Sequence, residues 1–249
     1  MRLSPYYVRR PRLWPAPVRE LDPRTAVSRR WRYVYLRVPK AANSSVVMSL
    51  TEHLPEDDPA MKEARHTVRK VAMTSFGELA PAEADLAGFF VFTFVRNPYH
   101  RVLSAFLDKL GEEPSLIEAS ESTHVRYRRF HGREIAALDG GRVTFLGFCR
   151  WLARGGERVN AHWMAQSRFL DLADRIDVIG RVERIDEDLP AILRQIAPDR
   201  PPPVVRRAGP PPRQATMRAR DAYTPECRRL VEQVYAADFR RLGYALGDI

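Results

Sequence analysis

The stretch Phe89–Val95, reading Phe-Phe-Val-Phe-Thr-Phe-Val, constrains the fold more than any other segment. It is aromatic and β-branched throughout and shows no polar alternation, so it predicts a strand covered on both faces. Parallel sheets bury their strands in this way, because the crossover helices lie on the two faces. The run is strand-sized, far short of the ~18–20 apolar residues that a membrane helix needs. Trp31–Val38 alternates well enough for a second strand, and Ile176–Gly180 reads as a third. Helical periodicity covers Ser44–Leu54, with Ser44 or Asn43 as its cap, and Tyr99–Leu110, Thr144–Arg154 and Ile185–Ile196. Pro81–Leu86 reads as a short helix. Thr224 caps a last helix, with Pro225 at its first position, running to about Leu242.

Strands separated by helices predict an α/β fold: an open parallel sheet flanked by helices, in a single domain over residues 31–249. Residues 1–30, rich in proline and arginine and without a period, read as an irregular arm laid over the surface. Residues 62–75 are polar and ambiguous, and residues 111–141 read as a polar excursion. Residues 198–213, with triple prolines near both ends, cannot be regular.

Composition narrows the classes. Of 249 residues 45% are hydrophobic and 29% charged, which allows a sizeable core and excludes wholesale disorder. Two cysteines without CxxC spacing exclude a disulfide scaffold and a cysteine-rich zinc site, and fit a reducing cytoplasm. The N-terminus lacks the apolar region of a secretory signal. The net charge is +10; of 41 basic residues, four are lysines and 37 arginines. That bias predicts an anionic partner without choosing among nucleotide phosphates, acidic sugars, nucleic acid and a membrane surface.

Two motifs carry chemistry. In the first, a strand runs into Pro39, then Lys40-Ala41-Ala42-Asn43-Ser44-Ser45, then a helix. Small residues let the main chain approach a phosphate, the helix start supplies N–H groups and a positive dipole end, and Lys40 adds a point charge. Alone, the pattern also describes a plain capped helix after a strand. It is not the GxxxxGK[ST] loop, because its lysine opens the turn instead of closing it. In the second, the buried strand ends at Arg96, and Asn97-Pro98-Tyr99 opens a helix that carries Arg101 and Ser104 three residues apart. Arg96 thus lies at the carboxyl edge of the sheet, where open α/β folds bind ligands. A guanidinium beside a hydroxyl forms a fork for a phosphate. In isolation, an arginine that fixes a local turn explains this motif equally well.

As a pair, Val38-Pro-Lys-Ala-Ala-Asn-Ser-Ser and Phe94-Val-Arg-Asn-Pro-Tyr-His-Arg-Val-Leu-Ser-Ala resemble the sulfotransferases that use 3′-phosphoadenosine 5′-phosphosulfate (PAPS). The closer resemblance is to the carbohydrate branch that includes chondroitin and dermatan enzymes and their bacterial relatives. Asn160-Ala-His-Trp, Ile176-Asp-Val-Ile-Gly-Arg-Val-Glu and Asp238-Phe-Arg-Arg-Leu-Gly-Tyr look like later segments of that branch, so the likeness covers roughly residues 31–244. It implies a P-loop-like α/β fold and direct transfer of a sulfuryl group to an acceptor hydroxyl. By that resemblance Lys40 meets the 5′-phosphosulfate, Ala41, Ala42, Asn43, Ser44 and Ser45 form the loop around it, and Arg96 and Ser104 hold the 3′-phosphate, with Arg101 beside them. Ala42 stands where the family commonly has glycine, and the cysteines and membrane anchors of the animal Golgi members have no counterpart here. These departures touch the acceptor and the compartment, not the donor.

Transfer needs a base for the acceptor's proton, and histidine suits neutral pH. The position of His66, between the two motifs, favours it; His162 is the rival because Trp163 follows it as in the carbohydrate branch. His100 lies inside the second motif and reads as exposed on its helix. No HExxH pattern or carboxylate cluster suggests a metal, and the chemistry needs none. The expected partners are PAPS and a hydroxyl-bearing acceptor, in first place a saccharide; no nucleic acid is expected, and a peripheral membrane contact stays open. A P-loop-type nucleotide kinase is a competing reading, set back by the missing loop lysine and the lack of a magnesium-binding aspartate after a strand. A basic non-enzymatic nucleic-acid binder is another, set back by arginines spread along the chain and the absence of a recognition motif.

Overall fold

The structure is a computed structural model that describes residues 4–13, 18–54, 74–111, 124–207 and 219–249. Along the chain the elements are β1 (Thr25–Ser28), β2 (Tyr33–Leu36), α1 (Asn43–His53), β3 (Phe90–Val95), α2 (Pro98–Lys109), α3 (His124–Ala136), α4 (Phe145–Ala153), β4 (Val178–Arg181), α5 (Ile185–Ile196), α6 (Pro225–Val234) and α7 (Ala236–Leu242). They fall into two compact units, Met1–Val95 with Arg168–Pro210, and Arg96–Ser167 with Pro211–Ile249.

The first unit holds the sheet, in the order β1-β2-β3-β4. β2, β3 and β4 are parallel, with Tyr35 opposite Phe92 and Phe94 opposite Gly180, and β1 joins antiparallel at the edge. The expected α/β architecture with a mostly parallel, helix-flanked sheet is therefore present. From Val91 to Val95 every residue of β3 is buried, as its unbroken apolar pattern requires. Its one hydroxyl, on Thr93, donates to the Leu36 carbonyl at 2.7 Å and so is satisfied inside the sheet. One face of the sheet carries Tyr33, Tyr35, Phe92 and Phe94 against Val46, Val47 and Leu50 of α1 and Ile185, Leu189, Ile192 and Leu193 of α5. Tyr35 stacks on Phe92 with centroids 4.8 Å apart. Gly180 is small for a reason: a Cβ there would lie 2.6 Å from the Phe94 ring. α5 spans the expected residues although Pro190 sits inside it, with Asp186, Glu187 and Asp188 complementing the positive end of its dipole.

Of residues 1–30, the described ones, 4–13 and 18–30, include short helices and a strand. Tyr6 and Tyr7 are buried. Tyr6 stacks on Phe76 and donates to the Leu172 carbonyl, and Tyr7 donates to Asp22. Residues 25–28 form β1, which the sequence pattern did not show because Thr-Ala-Val-Ser has neither alternation nor length.

The second unit is helical. Its core joins Tyr99, Val102, Leu103 and Phe106 of α2 to Phe148, Cys149 and Leu152 of α4, Trp163, and Cys227, Val231 and Phe239 of α6 and α7. The single C-terminal helix expected from the periodicity is two helices, because the chain leaves helical geometry at Tyr235, whose hydroxyl donates to the Trp163 carbonyl inside the core. α3 occupies much of what reads as a polar excursion.

Candidate active site

In the first unit, β2 ends at Leu36 and Val38–Ala42 turns the chain into α1. Lys40 and Ala42 take left-handed dihedrals, with φ of 66° and 55°. Ala42 is the helix cap, and its methyl side chain can accept no hydrogen bond. The expectation that Asn43 or Ser44 caps the helix is thereby corrected: both lie inside its first turn. The helix start places the positive end of its dipole at this turn. Holding alanine left-handed costs about 1 kcal/mol, and strain of that kind collects at binding loops.

Ala41 is fully buried and Ser45 nearly so, while Lys40, Ala42 and Ser44 are half-buried. Asn43 is 9% exposed, and its Oδ1 meets no hydrogen-bond partner among the described residues. A buried amide with an unmatched polar atom, at a helix start, fits a ligand that brings both donors and acceptors; turning the amide over presents its NH2 to an anion at the same point.

Arg37, three residues before Lys40, was not singled out by the sequence. It is 3% exposed, its guanidinium donates to the Pro23 carbonyl, and its Nε has no partner. Burial, and then the charge of Arg24, lower its pKa to about 10. It adds positive potential where β2 leaves the sheet. Only its place in the RVPK run hinted at this, since arginines are common all along the chain.

In the second unit, Arg96 directly follows β3 and is half-buried. Gln166, fully buried, clamps its main chain from both sides: Gln166 Oε1 accepts the Arg96 N–H at 2.9 Å, and Gln166 Nε2 donates to the Arg96 carbonyl at 2.8 Å. Asp238 in turn accepts the N–H groups of Gln166 and Ser167 at 2.7 and 2.8 Å. Asn97 caps α2, accepting from the Tyr99 N–H at 3.0 Å, with Pro98 at the first position. Ser104 is half-buried on α2.

Arg101 departs from its expected role in a phosphate fork. It is 1% exposed and donates to the carbonyls of Met164 and Ala161 at 2.8 and 3.2 Å, so it holds the 160s segment to α2 instead of facing a ligand. His100 is also buried, at 8% exposure, and not exposed on its helix as expected. His66 lies outside the described residues.

His162 is half-buried next to Trp163, whose ring N–H donates to the Gly156 carbonyl. The Oδ1 of Asn160 accepts the main-chain N–H of His162 at 2.9 Å and lies 2.7 Å from its Nδ1. An oxygen that already accepts one N–H meets Nδ1 as a second donor, so the proton belongs on Nδ1 and the lone pair on Nε2. That is the tautomer a general base requires. Sequence reading missed Gln166, because a clamp across distant segments leaves no local spacing, and it met Asn160 and Asp238 only as part of the resemblance, without these contacts.

The Sulfotransferase family profile matches residues 23–245 and so runs through both units. Human carbohydrate sulfotransferase 14 is 32% identical over 95% of this chain and 65% of its own length, and the mouse protein of that name gives the same figures. Carbohydrate sulfotransferase 10 of Pongo abelii is 25% identical over 68% of this chain and 51% of its own length. The chain thus spans less than two thirds of the curated relatives it matches. No solved structure matches it. With the family profile covering nearly the whole chain, this protein belongs to the sulfotransferase family.

Proposed function

We propose that this chain transfers a sulfuryl group from PAPS to a hydroxyl of a carbohydrate, as a member of the carbohydrate branch typified by chondroitin and dermatan enzymes, and that it acts in the cytoplasm. The observation that carries the reading is the turn into α1, with Lys40 and Ala42 left-handed and the Oδ1 of the buried Asn43 unmatched among the described residues. Family membership and the names of the relatives support the choice of donor and acceptor class.

Lys40, Asn43, Ser44 and Ser45 of the first unit would meet the 5′-phosphosulfate; Arg96 and Ser104 of the second are the residues that the resemblance gives to the 3′-phosphate. Bound there, the donor supplies an activated sulfuryl group, whose bond to the phosphate oxygen breaks as the bond to the acceptor oxygen forms. Lys40 and the first-turn N–H groups of α1 stabilise the charge left on the phosphate, the kind of contact worth ~10²–10³ in rate. His162 accepts the acceptor's hydroxyl proton at Nε2, and Asn160 keeps that nitrogen unprotonated; His66 is the competing base.

Calorimetric titration with adenosine 3′,5′-bisphosphate in the presence of EDTA tests the donor site. Tight binding that Lys40→Ala weakens at least about tenfold, with the fold intact by circular dichroism, is expected. Binding only with Mg²⁺ and ATP would favour the kinase reading instead.

A further inference from the structure

Two thiols that the proposed transfer does not use meet inside the second unit. Cys149 lies on α4 and Cys227 in the first turn of α6; the two helices pack together, and each thiol is the largest influence on the other's titration. Both are free and buried, at 0% and 1% exposure, in the core that also holds Tyr99, Phe148 and Tyr223. Their surroundings treat them differently. Cys227 is three residues past the cap Thr224, whose Oγ1 accepts its N–H at 3.2 Å, so its sulfur lies near the positive end of α6. The S–H of Cys149 and the Thr224 hydroxyl lower the Cys227 thiol to about 6 against the opposing effects of burial and Glu226, while the same thiol contact raises Cys149. The start of α6 and Thr224 thus favour Cys227 as the sulfur that ionises, with Cys149 as its neighbour in the core.

We propose that Cys149 and Cys227 form a reversible redox site, a dithiol in reducing surroundings that closes to an intrachain disulfide between α4 and α6 on exposure to hydrogen peroxide. The Cys227 thiolate attacks one peroxide oxygen, the O–O bond breaks, and the released hydroxide takes up a proton as water. The Cys149 sulfur then attacks the resulting sulfenic sulfur, the S–O bond breaks, and the departing hydroxide leaves with the Cys149 proton as a second water. Two electrons pass from the two sulfurs to the peroxide, and a dithiol reductant reverses the change. α6 also packs against α2, and Tyr223, one residue before the α6 cap, donates to the Tyr99 carbonyl of α2 at 2.9 Å. The crosslink therefore restrains the helix that carries Ser104.

The purified full chain is treated with hydrogen peroxide, unfolded, alkylated and mapped by mass spectrometry. The expected product is lighter by two hydrogens, takes up no alkylating agent, yields a Cys149–Cys227 peptide pair, and melts about 5–15 °C higher than the same sample after dithiothreitol. Cys149→Ala and Cys227→Ala should each abolish that melting difference; the wild-type mass decides the matter even if a variant fails to fold. Two alkylatable thiols after peroxide, oxygen added to one sulfur with the other still reactive, or crosslinks between chains would each overturn the proposal.

Discussion

Asn160 and His162 show how one side chain sets the chemistry of another. The Asn160 oxygen accepts a hydrogen bond from Nδ1–H and so leaves the lone pair of the neutral ring on Nε2. His162→Ala should lower kcat by ~10²–10⁴ while adenosine 3′,5′-bisphosphate binds as before. Asn160→Ala, which leaves the imidazole in place but frees its tautomer, should lower kcat by a smaller factor with KM little changed. A full rate in His162→Ala beside a collapse in His66→Ala would move the role to His66. The two arginines of the second motif should separate in the same experiment. Arg96→Ala is expected to weaken PAPS more than adenosine 5′-phosphosulfate, which lacks the 3′-phosphate, by roughly 1.5–3 kcal/mol. Arg101→Ala strips donors from two buried carbonyls and should lower the unfolding midpoint, with donor affinity per folded molecule unchanged. The reverse pattern would return Arg101 to the ligand. Sequence spacing placed Arg101 beside Ser104 correctly along the helix, but spacing says nothing about which face a neighbouring segment covers.

Among the elements, a clear period translated directly into structure. Ile185–Ile196 is a helix over the expected residues, and Thr224 caps α6 as its chemistry requires, with its hydroxyl accepting the Cys227 N–H. β1 and the break at Tyr235 were not legible: a short edge strand is defined by its partner β2, and the helix break by a core hydroxyl bond. The links that hold the candidate site were equally hidden. Asp238 on α7 caps the chain at Gln166, and Gln166 clamps Arg96, so three stretches distant in sequence fix one main-chain position. Asp238→Ala leaves two buried N–H groups without acceptors and should cost about 2–4 kcal/mol in urea unfolding. Loss of less than about 0.5 kcal/mol would show that the clamp does not hold the segment.

At the scale of the whole molecule, one family domain is built from two compact units with separate cores, the sheet with α1 and α5 in one and the α2, α4, α6 and α7 cluster in the other. The buried run of β3 announced the sheet, whereas the second core, assembled from amphipathic helices of unrelated spacing, gave no sequence sign of forming a unit of its own. The charge of +10 fits an anionic donor and does not name the acceptor. The acceptor question and the central claim meet in one measurement: incubation of the full chain with PAPS and a panel of neutral and acidic oligosaccharides, with no added metal, followed by mass spectrometry. The account predicts that at least one saccharide gains a sulfuryl group for each adenosine 3′,5′-bisphosphate released, and that Lys40→Ala lowers the rate by ~10²–10³. A folded protein that binds the bisphosphate yet sulfates no member of the panel, or that moves a phosphoryl group from ATP instead, would contradict it.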